Sequence, residues 1–245
     1  MYFEIKRSLK HIVIKYKVVV EILKQEILDG IYNETRKLPT EDELMKKFDM
    51  SRNTIRKAIE VLVGQGYIYQ VQGSGIFLRE FSKPGCVDLN SMNGLTRNFS
   101  NQRLSSKLID LTLMEADQQL AIKMKCKVGT KLYHVKRVRL VDDEVYCIEE
   151  SYFNKDIIPY LNEEICSKSI YQYIAEDLKL KIGFADKVIS CNKLDDADAK
   201  FMNLSVGDPT LIIENTVFLN TGIIFDFSTG KYNYKNSKLL SLATL

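Results

Sequence analysis

Histidine is scarce in this chain: only His11 and His134 occur among 245 residues, far apart, so no histidine-rich metal centre can be assembled and none is expected. Each is read as a surface or satisfied core histidine. The five cysteines, Cys86, Cys126, Cys147, Cys166 and Cys191, are odd in number, scattered and free of any C-x-x-C pair. They read as reduced thiols of a cytoplasmic protein, not as a disulfide framework. No apolar run approaches the roughly 20 residues that cross a bilayer. The N-terminus, with Glu4, Lys6, Arg7, Lys10, Lys15 and Lys17 among its apolar residues, lacks the core of a signal peptide. There is no low-complexity tract and no internal repeat. No activated nucleophile, phosphate loop or metal set is present, so neither an enzyme nor a cofactor is expected.

Charge is nearly balanced, but unevenly placed. The formal net charge is +3; residues 1–82 hold 14 Lys and Arg against 11 Asp and Glu, and residues 83–245 hold 21 of each. The whole excess lies in the first third. An excess this small does not by itself establish a nucleic-acid partner.

The first third has a readable order. Tyr16, Val19, Val20, Leu23, Ile27 and Leu28 recur at helical spacing, and Gly30 follows as a stop. Thr40-Glu41-Asp42-Glu43, after Pro39, is a capping box for a short helix with Leu44 and Phe48 inward. Ser51 caps a third helix whose inward residues are Ile55, Ala58, Ile59 and Leu62, ended by Gly64 and Gly66. Two strands, Tyr67 to Gln72 and Ile76 to Arg79, flank Gly73-Ser74-Gly75. Helix, short helix, turn, helix and hairpin make a winged helix-turn-helix, assigned to residues 1–82.

That arrangement turns Arg52, Asn53, Arg56 and Lys57 away from the core, at the start of a helix. A helix of this kind fits the DNA major groove, where Arg pairs with guanine and Asn with adenine. Free amides at its start favour a phosphate. Gly73 and Gly75 leave the hairpin tip bare for close approach to a sugar-phosphate strand, with Gln70 and Gln72 beside it.

Residues 83–89, around Pro84-Gly85, read as a linker, and 90–245 as a second domain, α+β with a largely antiparallel sheet. Its strands are expected at Leu132 to Val141, Val145 to Phe153, Ala185 to Cys191, Thr210 to Leu219 and Ile223 to Ser228. Its helices are expected at Ser169 to Leu178 and Asp195 to Leu204. Arg137 and Arg139 alternate on one strand and therefore share a face. Such a pair is either surface charge or a clamp for an anion, since a guanidinium donates to phosphate in a planar fork.

Four stretches carry a resemblance: Ile27–Tyr32, Leu38–Leu44, Ser51–Ala58 and Gln72–Phe77. Together they resemble the winged helix-turn-helix of the GntR family of bacterial transcription regulators. The resemblance implies dimers that bind operator DNA through Arg52, Asn53, Thr54, Arg56 and Gly73, and Gln72 beside the hairpin tip is read as a further DNA contact. Asp42 stands where many members carry Arg. Residues 90–238 resemble the effector-binding UTRA domain of the HutC subfamily, related in fold to chorismate lyase, through Asn93–Thr96, Val135–Leu140, Ile148–Tyr152, Ser169–Tyr171 and Asp226–Ser228 with Tyr232. The resemblance implies an effector anion held by Thr96, Arg137, Arg139 and Ser169, and a polar body held by Glu149, Asp226 and Tyr232. The expected function is a ligand-responsive regulator, more readily a repressor, that binds a pseudo-palindromic operator as a homodimer. Its partners are double-stranded operator DNA and a small anionic effector such as a sugar phosphate. The competing expectation is a lyase-like enzyme domain fused to a DNA-binding head.

Overall fold

The structure is a computed structural model that describes residues 2–80, 86–89, 99 and 102–243, the side chains of residues 2–14 excepted. The chain divides into two compact units: Met1–Lys83 with Ser241–Leu245, and Pro84–Leu240.

In the first unit, α1 spans Tyr2–Leu28, α2 Glu41–Phe48 and α3 Arg52–Gly64. Two short strands follow, β1 (Ile68–Val71) and β2 (Gly75–Leu78), paired antiparallel. The capping box forms as the sequence predicts: the Thr40 side chain accepts from the Glu43 amide, and Glu43 reaches back to the Thr40 amide at 2.8 Å. Ser51 accepts from the Thr54 amide and starts α3. Val19, Leu23 and Ile27 of α1 pack with Leu44, Ile55, Ile59 and Leu62 in one core. Each such side chain contributes about 1.5–3 kcal/mol when fully buried. Residues 36–38 line the hairpin edge, where Leu38 N donates to Ile76 O and Leu78 N to Arg36 O, both at 2.9 Å. Gly73 and Gly75 both have positive φ, 75° and 125°, as the tight turn demands.

The sequence reading carried the second domain through residue 245, but Ser241–Ala243 belong with the first unit. The cause is local packing. Leu242 rests on Gly66, where an added Cβ would meet its Cδ1 at 3.0 Å, and Arg79 donates to the Ala243 carbonyl at 3.1 Å.

The second unit is built on a six-stranded antiparallel sheet of order β4-β5-β6-β9-β8-β7. These strands are β4 (Leu104–Glu115), β5 (Lys131–Val141), β6 (Glu144–Asn154), β7 (Ile182–Lys193), β8 (Pro209–Leu219) and β9 (Ile224–Asn233). A small parallel pair, β3 (Cys86–Asp88) with β10 (Lys238–Leu240), joins the ends of the unit. Part of the expected linker is therefore a strand. The β5–β6 turn lacks glycine; Asp142 and Asp143 take positive φ of 51° and 68° instead, a conformation Asp tolerates better than most residues.

Helices cover both faces of the sheet. One face carries α5 (Glu163–Ser167) and α6 (Ile170–Glu176), whose Cys166, Ile170 and Ile174 pack on Val135, Phe153 and Val217. The other carries α4 (Gln118–Met124) over Leu132 and Phe227, and α7 (Asp196–Met202) over Val138 and Ile148.

Candidate DNA-reading surface and effector site

At the start of α3, the residues that the apolar spacing turns outward are outward. Arg52, Asn53, Arg56 and Lys57 are exposed, as are Gln72 and Gly73 at the hairpin tip. Thr54 differs from them: it is 3% exposed, and its hydroxyl lies 2.9 Å from Ser51 Oγ, so it fastens the helix start. The sequence reading also missed the acids beside the arginines. Arg52 donates to Asp42 at 2.5 Å, and Arg56 Nε donates to Glu41 at 2.9 Å, with Arg52 3.7 Å from the same Glu41. The acids were visible in the capping-box stretch, but their meeting with Arg52 and Arg56 depends on how α2 packs against α3.

In the second unit, Arg137 and Arg139 are buried, 7% and 6% exposed, which excludes the surface-charge alternative. They converge on one oxygen of Glu149: Arg137 Nη2 at 2.7 Å and Arg139 Nη1 at 3.0 Å. Arg137 Nη1 also donates to the carbonyls of Cys166 and Lys168, at 2.8 and 3.2 Å, tying β5 to the segment that caps α6. Burial pushes the Glu149 carboxyl up, but the charges of Arg139 and Arg137 and their hydrogen bonds outweigh it and hold it at about 2.

Asp226 faces the same side of the sheet, 1% exposed. Its Oδ2 accepts from the Tyr171 hydroxyl at 2.6 Å, while Oδ1 is buried without a partner, as is Arg139 Nε. Burial raises the Asp226 carboxyl to about 7, against the lowering effect of the Tyr171 hydrogen bond. Tyr232 belongs to the same face, its ring lying over Gly230, where an added Cβ would sit 2.8 Å from the ring edge and 3.2 Å from the hydroxyl. Ser169 caps α6 by accepting from the Gln172 amide at 3.3 Å. Thr96 lies outside the described residues.

The structure thus brings Arg137, Arg139, Glu149, Asp226 and Tyr232 onto one face, with two buried polar atoms unpaired. An unpaired buried polar atom costs about 1–3 kcal/mol, which a bound ligand can recover. Sequence reasoning missed Tyr171, inside a stretch it had singled out, and also Ser151, Ser228 and Asn215 on the same face. Ser151 and Ser228 follow Glu149 and Asp226 by two residues, so strand periodicity would have found them. Asn215 enters only through the pairing of β8 with β9.

The described residues contain no helix long and apolar enough to cross a membrane and no group of three or more metal-ligating side chains.

Residues 15–78 match the model of the bacterial regulatory proteins of the gntR family, and residues 100–236 match the UTRA domain. The chain is 36% identical over 227 residues to the HTH-type transcriptional regulator YydK of Bacillus subtilis (strain 168), covering 93% of this chain and 96% of that one. A crystal structure of YydK superposes with a TM-score of 0.78, covering 94% of this chain and 99% of that one. From the same organism, the HTH-type regulator GmuR is 29% identical over 90% of this chain and 94% of its own. The HTH-type transcriptional repressor NagR is also 29% identical, over 89% of each chain. The chain is a DNA-binding transcriptional regulator, not an enzyme, and it belongs to the GntR family, with a UTRA domain of the HutC type.

Proposed function

We propose that this protein is a cytoplasmic, homodimeric repressor that releases a pseudo-palindromic operator when a small anionic metabolite, a phosphorylated sugar in the simplest case, binds the Arg137–Arg139 face. One observation carries the effector part: two buried guanidiniums share a single carboxylate oxygen, leaving Arg139 Nε and Asp226 Oδ1 without partners. Two arginines against one ionised acid leave a positive charge in a desolvated place, where an anion finds strong, directional donors. Arg139 and Asp226 would hold the ligand directly, Tyr232 would close over it, and Ser169 and Thr96 would add hydroxyl donors. Arg52, Asn53 and Arg56 would meet base edges, with Gln72 and Gly73 at the flanking backbone. A twofold dimer matches two half-sites about one helical turn apart. The repressor reading is supported by the name of NagR, a relative described as a repressor.

Release requires the effector to bind the DNA-competent arrangement less tightly than the other. The test uses DNA recovered by the full-length protein from a random-sequence library. A panel of phosphorylated metabolites is added, and the experiment is repeated with Arg139→Lys, which keeps the charge beside Glu149 but loses the fork. The native protein should lose DNA with at least one compound, whereas Arg139→Lys should hold the DNA and ignore that compound. Equal release from both proteins would remove the arginines from the effector site.

A further inference from the structure

The end of the chain leaves the unit that its last strand belongs to. β10 pairs parallel with β3 of the second unit, Leu239 opposite Val87 and Leu240 opposite Asp88, and the Leu89 amide donates to the Leu240 carbonyl at 2.9 Å. Leu239 also packs on the apolar cluster of Val87, Tyr146 and Tyr232. Two residues further on, the chain is part of the first unit. There Leu242 is half-buried against Gly66, the buried glycine whose φ of 78° ends α3. An added Cβ at Gly66 would meet Leu242 Cδ1 at 3.0 Å and its Cβ at 3.3 Å, so the bare backbone is the seat of the leucine. Arg79, just past β2, donates from Nη2 to the Ala243 carbonyl at 3.1 Å, and its own amide donates to the Tyr67 carbonyl at 2.9 Å. The tail therefore grips the joint at which α3 passes into the hairpin. It lies beyond both family matches, residues 15–78 and 100–236.

Chain length decides which of the two connections between the units is tight. The forward one runs seven residues, from Arg79 to Cys86, and spans up to about 25 Å when extended. The return one runs two residues, from Leu240 in the β3 pairing to Leu242 on Gly66, and spans at most about 7 Å. A forward connection alone would let the first unit swing; the return connection removes most of that freedom. Its contacts are few and half-exposed, so it acts through shortness and not through strength. Nor does it compete with DNA. α3 has 13 residues, so at 1.5 Å per residue Gly66 lies about 20 Å from the exposed Arg52 end.

We propose that the C-terminal tail, Ser241–Ala243, is a strap that couples the DNA-binding unit to the second unit. Displacement of β10 is carried to the joint of α3 and the hairpin, and restraint of the DNA-binding unit is carried back to β10. The inference rests on the DNA binding of the family and on the tail's own contacts, and it is independent of which residues hold an effector. Coupling between two sites is reciprocal: if β10 biases the DNA-binding unit, DNA on that unit biases β10 equally.

Hydrogen exchange read by mass spectrometry tests the strap in the full-length protein, free and with a saturating concentration of DNA selected from a random-sequence library. The variants are Leu242→Asp, which sets a charge against the Gly66 backbone, and a chain stopped after Leu240. Slower exchange at α3 verifies that each protein holds the duplex. In the native protein, DNA should also slow exchange of the β3 and β10 amides by about threefold or more, because a fixed DNA-binding unit no longer pulls that pair open. In both variants, exchange over residues 86–89 and 238–240 should be the same with and without DNA. Exchange at β10 that ignores DNA in the native protein would overturn the strap, and so would a DNA effect of native size in either variant.

Discussion

Asp42 lies 2.5 Å from Arg52 across the gap between α2 and α3, at the exposed start of α3. With Glu41 on Arg56, two acids of one helix turn each hold an arginine of the next helix. The Arg52–Asp42 pair is about half exposed or more on both sides, whereas Glu41 is more sheltered at 22%; exposed pairs are worth about 0.2–1 kcal/mol, so DNA can break the Arg52–Asp42 pair at little cost. What they change is the charge presented before contact.

Asp42→Asn should therefore raise affinity for random-sequence DNA and narrow the gap between specific and non-specific binding. Fluorescence anisotropy against salt concentration checks it. The plot of log affinity against log salt should steepen by about one for each added phosphate contact. An unchanged slope and affinity would mean that the pair has no part in binding.

Removing the carboxylate between the buried arginines should be far more damaging than removing one at the surface. Glu149→Gln leaves two buried guanidiniums uncompensated and should cost about 3–5 kcal/mol in chemical denaturation. Glu164→Gln breaks an exposed pair with Lys168, at 2.8 Å, and should leave stability almost unchanged. Comparable losses would contradict the buried pairing.

Asp226 gives stability a pH dependence of unusual sign for an acid. Its folded value is raised to about 7 from 3.8, so between those values the folded state binds more protons than the unfolded one. Stability is then fully present below about pH 4, falls as pH rises, and is lost above about pH 7. His134, which has its value raised by its hydrogen bond to Glu150, against burial and with help from Asp110, adds a slope of the same sign that disappears as pH rises through its folded value. Asp226→Asn should gain melting temperature over the native protein at pH 8 and gain little at pH 4.5. A gain of equal size at both pH values would exclude a titrating Asp226.

Gly230→Ala tests the packing beneath Tyr232. The new methyl would enter a 2.8 Å contact with an aromatic ring held in a buried cluster, so the ring must move. A cost of about 1–3 kcal/mol is expected, together with weaker effector response. Full stability with native response would show that the ring lies elsewhere.

The first unit was legible because its signals are local. Thr40, Ser51, Gly66, Gly73 and Gly75 each act within a few residues, and the spacing of Ile55, Ile59 and Leu62 fixes which side chains turn out. The burial of Thr54 was not legible, because it depends on the cap and not on the apolar stripe alone. In the second unit, β5 and β6 were readable from alternation around the Asp142-Asp143 turn. β4 was not: its partner β5 lies a helix away in sequence, and the unbroken half-buried run from Leu108 to Leu111 gives this edge strand no clear rhythm. β9 runs on to Asn233, beyond the apolar run, because pairing with β6 and β8 supplies what composition does not. The pair Arg137 and Arg139 was visible as a shared face, but its burial and its meeting at Glu149 needed the register.

The most direct test is the affinity of the full-length protein for DNA selected from a random library, compared with that of Arg52→Ala and Arg56→Ala. Because both residues are exposed, each variant should melt within a few degrees of the native protein, yet bind the selected sequence at least about tenfold more weakly, the loss of one good base contact. Native affinity in both variants would contradict the account, since no other part of it places α3 in the groove.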